Sequence, residues 1–357
     1  MFAIEMLPAD HGDCLVISYG DPKQPQRILI DAGTPSTFKR LEKYIEKLPP
    51  GQRNFELLIV THIDSDHIGG VLPLLRANLG ITFEDIWFNA WHHLTPPSRR
   101  FLGSLQGDLL GNLLSQRPEL PWNEAFGGDT VVIPDTGDLP TVKLGGGMTL
   151  TLLSPRWKEL VNLEKSWTDQ AFRAGRIPGE LPTLAASDPD ALELLGGASR
   201  LEQLAAARFF PDSSVANGSS IAVLAEYEGK RALLTGDAFA PVLTESIQRI
   251  PGFEKRLEVN AVKLPHHGSE ANLSRELLKV LKSNRYLIST NGNVFEHPDE
   301  VAIARVLEDG GRNARIFFNY NSQTTLPWKK RKLARRPAGK SPFQYPERGE
   351  DGMRVLL

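Results

Sequence analysis

Sulfhydryl chemistry is almost missing from this chain of 357 residues, which holds one cysteine, Cys14. A single cysteine excludes an intramolecular disulfide and any cysteine-built zinc module. It also suits a reducing compartment, where disulfides are rare. Long apolar runs are missing too, since no stretch approaches the ~20 residues needed to span a bilayer. Residues 1–8 lack a basic start followed by an apolar core, so no signal peptide and no membrane association are expected. The expected location is therefore the cytoplasm. Charge of one sign is missing as well: 41 Lys and Arg against 43 Asp and Glu leave −2, which gives no global pull toward nucleic acid or an acidic surface. Internal repeats are absent. Histidine is sparse, and none lies between His93 and His266.

What is present alternates. Residues 14–19, 27–31, 56–61 and 86–90 read as strands, with helical spacing over 37–48 and 69–79. A strand over 149–153 leads into residues 156–212, helical in pattern but broken by glycine and proline, which we read as an insertion. Strands resume at 219–227, 232–235, 261–264 and 286–290, interleaved with helices over 241–249, 273–281 and 299–307. Residues 353–357 suit a closing edge strand. Strands and helices interleave in both halves, which predicts an α/β fold of two sheets flanked by helices. Its expected extent is residues 1–325, with 326–357 as a basic tail that includes Lys329 and Arg336.

Three clusters carry chemistry. His62-Ile-Asp64-Ser-Asp66-His67 follows a short apolar run and precedes Gly69-Gly70. A loop at a strand end can aim such side chains into one pocket, and imidazole with carboxylate is a Zn, Mn or Fe donor set. The plain alternative is a polar connection with an aspartate capping the helix. Leu264-Pro-His266-His267-Gly-Ser269 also follows an apolar run, and Thr235-Gly-Asp237 could supply a carboxylate that bridges two ions. Alone, the histidine pair reads equally well as a surface turn, and Thr-Gly-Asp reads more readily as a plain turn. Asp31, in Ile30-Asp31-Ala-Gly33, is placed behind the ligands, bonding their loop.

Taken in order, Ile-Asp-Ala-Gly, His-x-Asp-x-Asp-His, Thr-Gly-Asp and His-His-Gly-Ser resemble the metallo-β-lactamase superfamily. The aspartate at position 64, Asn217-Gly-Ser-Ser220 and His297-Pro298 are similar to its branch of ComEC-type DNA-uptake hydrolase domains and their stand-alone relatives. The resemblance covers about residues 1–320 outside the insertion. It implies an αββα sandwich holding one or two divalent ions, Zn or Mn, by His62, Asp64, Asp66, His67, Asp237 and His266. It places His267, Asn217, Ser219 and Asn291 beside the ligands or the substrate. Two departures matter: Asp64 stands where histidine is commoner, and the stretch before Thr-Gly-Asp, where another histidine is common, holds none after His93. Extra oxygen donors favour harder ions.

The expected reaction is hydrolysis by a metal-activated hydroxide oriented by Asp66, with His297 as a proton donor. A phosphodiesterase or nuclease acting on nucleic acid or a nucleotide leads. Ester, lactone or β-lactam hydrolysis is the first rival. The second is a catalytically weak metal-binding subunit with a protein partner, in a setting such as bacterial antiviral defence. His11, and His92 with His93, are further rim candidates. Arg173, Arg176, Arg200 and Arg208 are candidates for phosphate contact. A nucleic-acid contact by the basic tail is the weakest expectation, since such runs are usually solvated.

Overall fold

Alternation along the strands decides the layers. In Phe2–Met6 (β1), Leu15–Tyr19 (β2), Gln26–Ile30 (β3) and Leu57–Ile59 (β4), residues Phe2, Ile4, Met6, Ile17, Ile28, Ile30, Leu57 and Ile59 share one apolar cluster. Their neighbours Val16, Leu29 and Leu58 join a different one with Phe38, Leu41, Ile45, Val71 and Leu74. Period-two alternation sends the first set to one face and the second to the other. The first face meets a second sheet. The other is covered by the helices Phe38–Lys47 and Val71–Arg76.

The computed structural model describes residues 1–94, 105–173, 201–329, 341–347 and 349–357. With Ile86–Trp87 as β5, the first sheet has six strands. Their order is Met353–Leu356, β1, β2, β3, β4, β5, with β3, β4 and β5 mutually parallel. The second sheet comprises Thr141–Lys143 (β6), Thr149–Ser154 (β7), Ala222–Tyr227 (β8), Lys230–Leu234 (β9), Ala261–Lys263 (β10), Arg285–Ile288 (β11), Arg315–Phe318 (β12) and Phe343–Gln344 (β13). Strands β6 to β9 form an antiparallel meander, and β9 to β13 run parallel. Leu150, Leu152, Leu233, Val262 and Leu287 meet the first sheet's inner residues in one core, which also takes in Leu243, Ile247, Leu277, Ile303 and Val306 from the helices Ala240–Gln248, Arg275–Lys279 and Glu300–Asp309.

Both sheets have their parallel strands side by side, so their carboxyl-end loops share an edge. In open α/β sheets this is the edge where ligands bind. The loops after β3, β4, β9, β10 and β11 all open there. Strain gathers in the same place. Asp31, His266, His267 and Glu296 have positive φ and lie in these loops, and Asp10 has it in the β1–β2 loop bonded to Asn291, whereas Asn123 and Glu228 lie elsewhere. Such conformations cost energy and persist where surrounding structure enforces them.

Of the insertion, the helix Trp157–Arg173 and the helix Leu201–Ala205 are described. Leu160, Leu163 and Trp167 pack with Trp91 and Leu94, and Ile63 of the first ligand loop joins them. Arg176, Arg200, the Arg173 side chain and residues 330–340 of the tail, Arg336 among them, lie outside the described residues, whereas Leu326–Lys329 is a described helical turn. The strand Met353–Leu356 pairs antiparallel with β1 at the sheet edge. Among the described residues, no helix is long and apolar enough to cross a membrane.

Candidate metal centre

The first ligand loop leaves β4 through Thr61. Asp64 begins the helix Ser65–Ile68, and that turn carries Asp66 and His67 inward, with His67 fully buried. Asp31 fixes the loop from behind. Its Oδ1 accepts from Thr61 N at 2.8 Å, and its Oδ2 accepts from Thr61 Oγ1 and from His67 Nδ1, both at 2.7 Å. The carboxylate assigns the proton to His67 Nδ1 and leaves the Nε2 lone pair pointing forward. The β1–β2 loop braces the other side: Asp13 N donates to Asp66 O at 3.2 Å, and a Cβ on Gly12 would lie 1.8 Å from that oxygen. No side chain larger than hydrogen fits there.

The second sheet supplies Asp237 just beyond β9 and the histidine pair just beyond β10. His266 and His267 have φ of 46° and 52° in a short turn closed by Gly268. This twist turns His267 into the cluster, with 1% of its side chain exposed, and leaves His266 at the flank with 21% exposed. His267 Nδ1 donates to the Ser289 carbonyl at 2.9 Å. A carbonyl oxygen only accepts, so the proton is on Nδ1 and the Nε2 lone pair is free.

Two lone pairs therefore face each other: His67 Nε2 and His267 Nε2 are 3.3 Å apart. Two acceptors at that distance require a cation or a proton between them. Carboxylates complete the figure. His67 Nε2 is 3.4 Å from Asp237 Oδ2 and 3.8 Å from Asp66 Oδ2. His267 Nε2 is 3.4 Å from Asp66 Oδ2 and 3.7 Å from Asp237 Oδ2. A tetrahedral ion with bonds of ~2.1 Å needs donor atoms ~3.4 Å apart. These five spacings lie near that requirement, and Asp66, His67 and His267 form one three-donor group while His67 and His62 form another with Asp237.

An adjoining position is poorer in donors. His62 Nε2 is 3.5 Å from Asp64 Oδ2 and 3.9 Å from Asp237 Oδ2, and His266 Nε2 is 3.9 Å from Asp237 Oδ2. His62 Nε2 and Asp237 Oδ1 are buried without a hydrogen-bond partner. Ser220 Oγ and Thr61 Oγ1 both approach His62 Nδ1, at 3.2 and 3.0 Å, leaving its Nε2 turned toward Asp237. Unpaired buried polar atoms cost free energy, and a divalent ion beside Asp237 would satisfy both. The donor set fits a metal.

Electrostatics point the same way. Burial works to raise the Asp66 and Asp237 carboxyls, yet the neighbouring imidazoles, led by His67, hold both well below the usual range. Burial works against a charged His267, but Asp237 and Asp13 push it up to about 9. Crowded carboxylates thus draw protons onto the histidines where a cation would otherwise stand. One fixed cation is present. Lys263 Nζ, on β10, donates to Asp13 Oδ2 at 2.5 Å with both groups buried, and Asp13 Oδ1 lies 3.4 Å from His267 Nδ1.

The structure places the remaining candidates as follows. His267 stands inside the cluster and His266 at its flank: His266 Nδ1 bonds sideways to Asn272 Oδ1 at 2.9 Å, near Asp212 Oδ2 at 3.5 Å, while its Nε2 is 3.9 Å from Asp237 Oδ2. Ser219 Oγ donates to its own helix at Ala216 O, and Ser220 takes the place beside His62. Asn217 Nδ2 donates to Asp212 Oδ2 at 2.7 Å and lies 3.3 Å from His266 Nδ1. Asn291 shapes the rim, its N donating to Asp10 O and its Oδ1 accepting from Asn293 N. The His297 ring is edge-on to His266 at 5.1 Å, and its Nδ1 is 3.3 Å from Asp299 Oδ1. His92 and His93 instead pack on Trp122 at 4.7 and 4.8 Å. Sequence reasoning missed Asp13, Ser220 and Lys263. The first two lay inside segments already singled out, beside His11 and Ser219. Nothing marked the lysine. A cavity of about 800 Å³ lies at the opposite edge, lined by Arg231, Asn260, Lys282 and Arg312 and by no member of the cluster.

Residues 9–80 match the family model described as Metallo-beta-lactamase superfamily. That stretch holds Asp13, Asp31, His62, Asp64, Asp66 and His67. With the two-sheet architecture it gives the metallo-β-lactamase fold class. No curated protein matches the chain. Among solved structures it is similar to Zn(2+)-bound PqqB from Methylobacterium extorquens, at 14% identity over 100% of both chains and a TM-score of 0.42. It is similar to human tRNase Z, short form, at 10% identity over 100% of this chain and 99% of that one, with a TM-score of 0.41. A third is MEM-A1, a subclass B3 metallo-β-lactamase from a soil metagenome library, at 14% identity over 78% and 89% of the two chains and a TM-score of 0.28. At such identities and scores no residue role is carried over from them.

Proposed function

We propose that this protein is a metal-dependent hydrolase whose substrate is a phosphodiester in nucleic acid or a nucleotide. The observation that carries the metal-dependent part is the pair of facing Nε2 atoms of His67 and His267, framed by Asp66 and Asp237. In this reading those four residues hold one ion, and His62 and Asp64 share Asp237 with a weaker second position. A divalent ion bound there supplies Lewis acidity and lowers the pKa of a water.

The chain's own residues do the rest. Asp66, an acceptor at neutral pH, orients the attacking water. Asp31 and Ser289 keep the two imidazoles in the tautomer that faces forward. His297, when it carries a proton on each ring nitrogen, donates from Nδ1 toward Asp299 and can give its Nε2 proton to a leaving oxygen at the rim. The phosphodiester part is supported by the oxygen-rich donor set and by the resemblance to the ComEC-type branch. Arg208 adds to it, lying in the segment that returns to Asp212 beside His266.

The test is parallel turnover of bis-p-nitrophenyl phosphate, p-nitrophenyl acetate and nitrocefin with added Zn or Mn. Turnover of the phosphodiester alone, or far above the others, is expected. Turnover confined to the acetate or nitrocefin contradicts the substrate class. Inactivity on all three with metal retained points to a metal-binding subunit of a larger assembly.

A further inference from the structure

The loop after β11 presents an apolar ring to solvent beside the metal centre. Phe295 is 50% exposed and Val294 38% exposed, two of seven large apolar side chains so exposed among the described residues. Phe295 stacks on His297 at a centroid distance of 6.1 Å and 29° between planes, and meets His11 edge-on at 5.9 Å. His297 in turn meets His266, whose Nε2 is 3.9 Å from Asp237. The rings thus run without a break from the donor cluster to the surface.

The loop is braced. A Cβ on Gly292 would lie 2.4 Å from Thr324 Oγ1, and that oxygen donates to His297 O at 2.9 Å. Asn291 N is tied to Asp10 O at 2.7 Å. An exposed aromatic held by such bracing is a ready-made platform, because little conformational entropy remains to be lost on binding.

We infer that Phe295, backed by His297 and His11, is a stacking subsite for the nucleobase next to the scissile phosphate. A flat π-face tolerates every base, so the subsite selects nucleotide over simple phosphodiesters without reading sequence. The inference rests on the phosphodiester reading above and names its substrate as one that carries a base.

Two measurements on the full-length protein test it. The first compares the p-nitrophenyl ester of thymidine monophosphate with methyl p-nitrophenyl phosphate, which share a leaving group. Phe295→Ala should raise KM for the nucleotide ester roughly tenfold, leave the methyl ester unchanged, and be rescued by Phe295→Trp. The second is calorimetric binding of adenosine monophosphate against methyl phosphate. The wild-type protein should prefer the nucleotide roughly tenfold, and Phe295→Ala should abolish that preference. If neither ester is turned over, the phosphodiesterase reading falls and the calorimetry alone decides the subsite. A Phe295→Ala protein that keeps the preference, or a wild type that has none, overturns it.

Discussion

Two adjacent histidines in one turn have different expected roles, and the difference is measurable. His267 Nε2 stands among the donor atoms, whereas His266 bonds sideways to Asn272 near Asp212. His267→Ala should therefore abolish stoichiometric metal binding. His266→Ala should keep the ion but weaken its affinity roughly tenfold, as is usual for groups around a ligand. Equal affinities in the two variants, by calorimetric titration with Zn or Mn, would refute the distinction. Away from the cluster, burial leads in holding the His93 imidazole down at about 3. Its folded pKa lies below the unfolded value of ~6.5, so between those limits only the unfolded chain takes up the proton. Stability from this residue is complete above pH ~6.5 and falls as pH drops toward ~3. Between pH ~7.5 and ~5 the loss amounts to at most ~2 kcal/mol. Urea denaturation at those two pH values should show a smaller loss in His93→Gln than in the wild type, and an equal loss would contradict the assignment.

At the scale of elements, the two sheets are tied beneath the cluster by the buried pair of Lys263 on β10 and Asp13 on the β1–β2 loop. Removing one partner leaves a buried charge alone, which costs about 3–5 kcal/mol. Lys263→Met should show that loss in urea denaturation, and Asp13→Leu combined with Lys263→Met should recover more than half of it. A double variant no more stable than the single one would mean the pair is not coupled. Gly12→Ala tests the neighbouring clamp. Its methyl group must displace the Asp66 carbonyl, so metal affinity should fall while the strands persist by circular dichroism. Unchanged metal affinity would show that the clamp does not position Asp66. The sequence made the His-x-Asp-x-Asp-His loop legible because four donors lie within six positions of one turn. It could not show the lysine, because Asp13 and Lys263 meet across sheets from positions 250 residues apart in the chain. Nor could it show which of His266 and His267 points inward, since that depends on two left-handed backbone conformations. The strand Phe2–Met6 was overlooked, although its alternating Phe2, Ile4 and Met6 carry the signal.

For the whole molecule, the decisive feature is that parallel strands of both sheets end at one edge, where Asp66 and His67 from the first sheet meet Asp237 and His267 from the second. The interleaved pattern made this architecture readable. The long middle segment was readable as a helical interruption, and its first helix, Trp157–Arg173, has no glycine or proline to break the period. Its described helix packs through Leu160, Leu163 and Trp167 in the cluster that Ile63 joins, so the insertion begins beside the ligand loop. The central claim is that donors from the two sheets converge on one ion. The most direct measurement is the metal content of protein loaded with Zn or Mn and then desalted, compared with Asp66→Ala/His67→Ala of unchanged circular dichroism. The account predicts at least one ion per chain in the wild type and none in the double variant. Equal metal content in the two proteins would contradict it.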